Sequence, residues 1–260
     1  MKVPIFQVDA FAEALFQGNP AAVIPLEEWL PDKLMQSIAM ENNLSETAFF
    51  VPTKAGFEIR WFTPKAEVDL CGHATLATAH VIFSEAYYPK EKISFGSRSG
   101  LLKVKKDNDL LQLNFPADVV RQVEEPKDVT NAVGLMPAEC FQGKTDYLLV
   151  YQTEKEIREL LPDFSALAKT TARGIIVTAP GNQCDFVSRF FAPGVGIDED
   201  PVTGSAHTTL TSFWAERIGK KDLSAQQVSA RGGKLECTLK DDRVLISGRA
   251  KTYLHGEIYI

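Results

Sequence analysis

Two stretches of this 260-residue chain open a helical pattern with glycine and put reactive residue types at its mouth. The first is Leu70-Cys71-Gly72-His73. The second is Glu199-Asp200-Pro201-Val202-Thr203-Gly204-Ser205. The first N–H groups of a helix have no intrahelical partners and lie at the positive end of its dipole. A glycine there lets a ligand approach the backbone closely. Two such helix starts facing one cleft would grip an anion, and a substrate carboxylate is the natural guest. Glu46, in Asn43-Leu44-Ser45-Glu46-Thr47-Ala48-Phe49, puts an acid ahead of a mostly apolar strand, and Gly18-Asn19-Pro20 reads as a turn after the first strand. Each residue also has a plainer use. Glu46 suits a solvated strand start, Asp200 a helix cap or first-turn acid, and His73 a satisfied helix-start histidine. Cys71 suits a low-pKa thiol or an inert buried one. His80, His207 and His255 fit no metal-ligand spacing and read as structural or exposed. Spacing alone does not name the reaction.

The elements that must position these residues alternate between helix and strand. Apolar spacing predicts helices over Asp32–Glu41, Gly72–Phe83, Glu154–Leu161, Phe164–Lys169 and Gly204–Ile218. Strands are expected at 47–51, 57–62, 92–95, 101–105, 110–115, 146–151, 175–178 and 186–191, with more up to Ile260. The pattern repeats once. Arg60-Trp61-Phe62-Thr63-Pro64 precedes Gly72-His73-Ala74-Thr75-Leu76, and Arg189-Phe190-Phe191-Ala192-Pro193 precedes Gly204-Ser205-Ala206-His207-Thr208. The second loop is three residues longer. A fainter upstream match sets Phe49-Phe50-Val51 against Ile175-Ile176-Val177. A repeat of half a chain implies two similar lobes and not a solenoid.

Composition narrows the function classes. The net charge of -6 comes without a basic run, which argues against a nucleic-acid partner. The N-terminal apolar stretch is too short for a signal peptide or membrane span, so a cytoplasmic protein without membrane attachment is expected. Cys71, Cys140, Cys184 and Cys237 lie far apart, which suggests neither a zinc knuckle nor a disulfide framework.

At these residues the sequence resembles the PhzF, or phenazine biosynthesis-like, family of the diaminopimelate-epimerase-like superfamily. The matching segments are Phe16-Gln17-Gly18-Asn19-Pro20-Ala21-Ala22-Val23, Asn43 to Phe49, Arg60 to Pro64, Glu67 to Leu76 and Glu199 to His207, in family order over nearly the whole chain. The resemblance implies an α+β fold of two pseudo-symmetric lobes, each with a curved sheet around a central helix. The lobes would be 1–115 and 116–247, with a strand at 248–260 returning to the first. It implies catalytic roles for Glu46, His73, Asp200 and Ser205, with Glu46 as general acid/base. Asn19, Gly72, Ala74, Gly204 and Ala206 become substrate-binding positions. A small carboxylate substrate, no cofactor, no metal and a homodimer are the family expectations. Two departures matter. Racemases of the superfamily use two cysteines; Cys71 sits near the first position, but Asp200-Pro201-Val202-Thr203-Gly204 holds no thiol. The phenazine enzyme has Ala-Gly-His-Pro where this chain has Cys71-Gly72-His73-Ala74, which leaves the substrate open.

The expected chemistry is that Glu46 takes a proton from carbon and returns it elsewhere. That requires a carboxylate more basic than in water, which burial and a neighbouring Asp200 would provide. His73 and Ser205 would orient the shared proton. Two other classes compete. One is a thiol- or metal-dependent hydrolase using His73, His207, Asp200 or Cys71. The other is a catalytically silent binding or regulatory protein on the same fold.

Overall fold

A computed structural model describes residues 1–85 and 88–260. The chain divides into two units, Met1–Asn114 with Ser247–Ile260, and Phe115–Ile246. In chain order the first contains β1 (Lys2–Ala10), β2 (Asn19–Pro25), α1 (Asp32–Asn42), β3 (Glu46–Thr53), β4 (Gly56–Phe62), β5 (Glu67–Val68), α2 (Gly72–Ser84), β6 (Lys92–Ser97), β7 (Gly100–Asp107) and β8 (Leu110–Pro116). Then follow β9 (Arg121–Gln122), α3 (Lys127–Val133), β10 (Glu139–Gln142), β11 (Asp146–Val150), α4 (Glu154–Glu159), α5 (Phe164–Leu167), β12 (Gly174–Pro180), β13 (Phe186–Phe191), α6 (Gly204–Ile218), β14 (Asp222–Gln227), β15 (Gly233–Lys240) and β16 (Arg243–Gly248). The last strand is β17 (Ala250–Tyr259), which pairs antiparallel with β1 from Lys2↔Tyr259 to Ala10↔Ala250.

In the first unit β1 pairs antiparallel with β2, β2 parallel with β3 and β3 antiparallel with β4. The central helix is α2, which packs on β1, β2, β3 and β17. It is buried almost all round, from His73 to Ala79 and again at Val81 to Phe83. Small residues at Ala74, Ala77 and Ala79 let strands approach it. Its hydroxyls stay satisfied in apolar surroundings by turning back onto the helix, as in the 2.7 Å bond from Thr78 Oγ1 to the Ala74 carbonyl. A second apolar cluster, around Met35, Ile38, Phe49, Val51 and Phe62, lies under α1.

The second unit repeats the plan. β11 pairs parallel with β12, β12 antiparallel with β13 and β13 parallel with β14. α6 packs on β14 and β15, with Leu210 and Thr211 fully buried. The repeat holds, but its upstream register is corrected by two residues. Phe49 faces Arg60, whereas Val177, not Ile175, faces Arg189. Phe49 therefore corresponds to Val177, and Glu46 to Gly174. A slip of two leaves every strand side chain on the same face, so an apolar run reads alike in either register.

Five of the labelled elements were not anticipated: β2, β5, β9, α3 and β10. Cues for α3 exist in Pro126 ahead of it and Gly134 after it, whose φ of 87° is the usual left-handed helix stop. The expected turn at Gly18-Asn19-Pro20 narrows to Gly18, because Asn19 and Pro20 already belong to β2. Gly18 has φ +70°, and a Cβ there would stand 2.1 Å from the Ala10 carbonyl oxygen. Gly18→Ala should therefore cost more than the roughly 1–2 kcal/mol of a left-handed non-glycine residue, because backbone must also move. A urea-unfolding midpoint equal to the wild type would contradict this.

Candidate functional site

The first unit gathers Asn19, Glu46, Cys71 and His73. Glu46 is the first residue of β3, and Cys71 is the N-cap of α2 in extended conformation. His73 lies on the first turn of that helix, and Asn19 opens β2. His73 Nε2 is 3.1 Å from Glu46 Oε2, an ion-pair contact without the alignment of a hydrogen bond. On the other side of the ring, His73 Nδ1 lies 3.2 Å from the Asn19 side-chain amide and 3.6 Å from Cys71 Sγ. All four residues are buried, Asn19 completely.

The charges follow from that packing. Burial pushes the Cys71 thiol up, and the Glu46 charge adds to it, to about 11. Burial alone would drive the proton off His73, but negative charge at Cys71 and Glu46 outweighs it and the imidazole rises well above its ordinary value. Near neutrality Cys71 is a thiol without charge, so of the two only Glu46 favours the charged ring there. Asn19 sets its Nδ2 against Nδ1; an imidazolium, which donates from both nitrogens, would need that amide turned to offer its oxygen. The pair is linked to stability with a definite sign. His73 has a raised folded pKa, so its contribution is complete below the unfolded value near 6.5 and is lost as pH rises through the folded value. Wild type should lose unfolding free energy across that window, and His73→Gln should lack the decline. Parallel pH profiles for the two proteins would contradict the pairing.

The second unit holds the matching helix start. Thr203 is the N-cap of α6, and its hydroxyl donates to Asp200 instead of capping the helix. Gln227, fully buried at the end of β14, clamps the same loop. Its Nε2 donates to the Asp200 carbonyl at 2.6 Å, and its Oε1 accepts from the Thr203 amide at 2.9 Å. Asp200 is buried and Ser205 is exposed on the first turn of α6. His207 is no part of a ligand cluster. Its ring Nδ1 donates to the Thr203 carbonyl at 2.8 Å, and burial lowers its pKa to about 4, so it is a neutral brace. Thr75, its counterpart on α2, likewise bonds the Cys71 carbonyl. Cys71 and Thr203 thus occupy equivalent N-caps, and Glu46 corresponds to Gly174. The acid and the thiol are features of the first unit only.

Each unit also has a strut that the sequence reading missed. Arg60 holds Glu67 through two bonds of 2.7 Å, and Arg189 holds Glu199 through bonds of 2.7 and 2.9 Å. The guanidinium carbons lie 5.2 and 5.0 Å from the rings of Phe62 and Phe191. The signal was present: the glutamate follows its arginine by seven residues in one half and ten in the other, a difference equal to the three extra loop residues. Of the residues offered for a metal or thiol hydrolase, His73 and Cys71 come together, with Glu46 completing a three-donor group. His80 bonds Thr252, and His255 stacks on Phe6.

Comparison with known proteins agrees with this architecture. A family profile described as "Phenazine biosynthesis-like protein" (PhzC-PhzF) matches residues 8–256. An uncharacterized isomerase of Pseudomonas aeruginosa is 50% identical over 260 residues, covering 100% of both chains. The crystal structure of a PhzF-family phenazine biosynthesis protein from Enterococcus faecalis superposes with a TM-score of 0.98 at 47% identity, again over 100% of both chains. A hydroxyproline epimerase from Agrobacterium vitis, crystallised with trans-4-hydroxy-L-proline, shares the fold alone: TM-score 0.65 at 10% identity, over 99% of this chain and 92% of that one. No helix among the described residues is long and apolar enough to cross a membrane.

Proposed function

The chain belongs to the PhzC-PhzF family of phenazine biosynthesis-like proteins, with the α+β epimerase-like fold, and is an isomerase by class, and on that premise we propose that it moves a proton on a small carboxylate-bearing metabolite with Glu46 as general acid and base. The observation that carries this reading is the buried Glu46–His73 pair at 3.1 Å, beside a helix start whose N-cap closes no side-chain hydrogen bond. The substrate carboxylate docks on the backbone amides of the Gly72–Ala74 turn, where the helix dipole favours it. Asn19 fixes the far edge of the imidazolium ring, and the ring fixes Glu46. The carboxylate accepts a proton from an activated carbon, and the electron pair of that C–H bond moves into the adjoining unsaturated system. The protonated Glu46 then returns the proton to another carbon. Atoms balance without oxidant, metal or cofactor. Asp200 and Ser205, with the amides of Gly204 and Ala206, form the matching helix start of the second unit, their loop held by Gln227. The reading is of a cytoplasmic homodimer acting on a small molecule, and the free thiols suit a reducing compartment.

The test is a panel of small carboxylic acids with an acidic C–H beside a double bond, incubated with the protein in deuterium oxide and read by mass spectrometry. One member should gain deuterium and yield a positional isomer. An acid that binds tightly yet never exchanges would make the chain a binding protein instead. Cleavage products that vanish with chelator or thiol alkylation would make it a hydrolase.

A further inference from the structure

Among the described residues one group of side chains offers a metal ion three donors: a Glu46 carboxylate oxygen, Cys71 Sγ and a ring nitrogen of His73, all within 4.8 Å of one another. His73 Nε2 is 3.1 Å from Glu46 Oε2 and 4.0 Å from Cys71 Sγ. In a tetrahedral zinc site, with bonds of about 2.0–2.3 Å, donors stand roughly 3.3–3.7 Å apart. The two separations lie on either side of that range. A second observation points to the same place. Glu46 is only 9% exposed, and its Oε2 is buried in the ion pair with His73 Nε2, without an aligned hydrogen bond. A carboxylate oxygen so placed keeps lone pairs that an ion between it and the ring could take up. The mixed sulfur, nitrogen and oxygen set is borderline-soft, which suits zinc and disfavours magnesium or calcium. Asn19 lies against Nδ1 at 3.2 Å, where its amide, turned to offer oxygen, would be the outer partner that ligating histidines use, and the fourth position is left for water.

We propose that Glu46, Cys71 and His73 form a zinc-binding site whose occupation silences the isomerase. The silencing rests on the reading of Glu46 as acid and base, since an oxygen bound to zinc no longer accepts a proton; the binding does not. The ion replaces the thiol proton of Cys71 and the proton on His73 Nε2. Both protons pass to the buffer, zinc gains one bond each to sulfur, nitrogen and oxygen, and nothing is oxidised.

The test titrates the full chain with zinc chloride against a chromophoric chelator. In parallel, cobalt(II) is loaded and its thiolate-to-metal charge-transfer band is followed. One ion per chain and a clear band are expected. Cys71→Ser should weaken binding by at least about tenfold and abolish the band. Cys71→Ala guards against a ligating serine. Cys184→Ser, a half-buried thiol of the second unit, should do neither. Absence of saturable binding, or Cys71→Ser binding as tightly as wild type, would overturn the site. The outcomes separate the two claims. Failure to bind zinc leaves the role of Glu46 intact. Zinc bound with deuterium exchange undiminished would remove that role, and the silencing with it, while the metal site stands.

Discussion

Glu46→Gln is expected to lose about 10²–10⁴-fold in isomerisation rate, the usual contribution of one positioned acid–base group. The amide matches the carboxylate in shape, so β3 should keep its register against β2, where Glu46 faces Ala21. What disappears is the capacity to accept a proton from carbon. The ion pair disappears as well, and His73 should lose the proton that Glu46 sustains, a change visible as an upfield shift in the titration of its ring protons. Substrate affinity should change little, because the helix-start amides that hold the carboxylate belong to Gly72–Ala74. A fall in KM-linked binding with rate preserved would place Glu46 in substrate holding instead of chemistry.

Arg189→Met should be the most damaging polar substitution to the second unit, costing about 3–5 kcal/mol in unfolding free energy. Arg189 and Glu199 have side chains only 12% and 20% exposed. Removing the guanidinium leaves the half-buried Glu199 without its cation. It also strips donors from the carbonyls of Ile157 and Leu160, which Arg189 reaches at 3.2 and 2.9 Å. The symmetric change Arg60→Met should cost less. Glu67 keeps a second cation there, Arg98 at 2.7 Å, and the Arg60 contact to Asp32 is made at a largely exposed carboxylate. Urea unfolding of the two variants checks the order, and equal losses would show that Arg98 does not compensate.

How far these devices could be seen in the sequence depends on how local their causes are. The two helix starts were legible, because a glycine after an extended N-cap is a local signal, and the segments around Glu46, Gly72 and Gly204 lie in family order. The repeat was legible for the same reason. The register between its halves was not, since strands of period two look alike after a slip of two, and only pairing with Arg60 and Arg189 fixes it. Lys127–Val133 escaped notice because a helix of two turns shows too few apolar positions for its period to stand out, although Pro126 and Gly134 bracket it. Gln227 was illegible in principle. It lies 24 residues from Thr203 and 27 from Asp200, and only the parallel pairing of β14 with β13 brings it beneath their loop. Cys71 was legible as a thiol at a helix start, but its neutral state depends on burial and on a carboxylate 25 residues away in sequence, which composition does not encode.

The most direct measurement follows the acid identified by the exchange screen, recovered unreacted from deuterium oxide after incubation with wild type and with Glu46→Gln. The account predicts deuterium at one carbon with wild type and none above the uncatalysed background with the variant, the two proteins binding the acid equally. Deuterium incorporated at the wild-type rate by Glu46→Gln would contradict it.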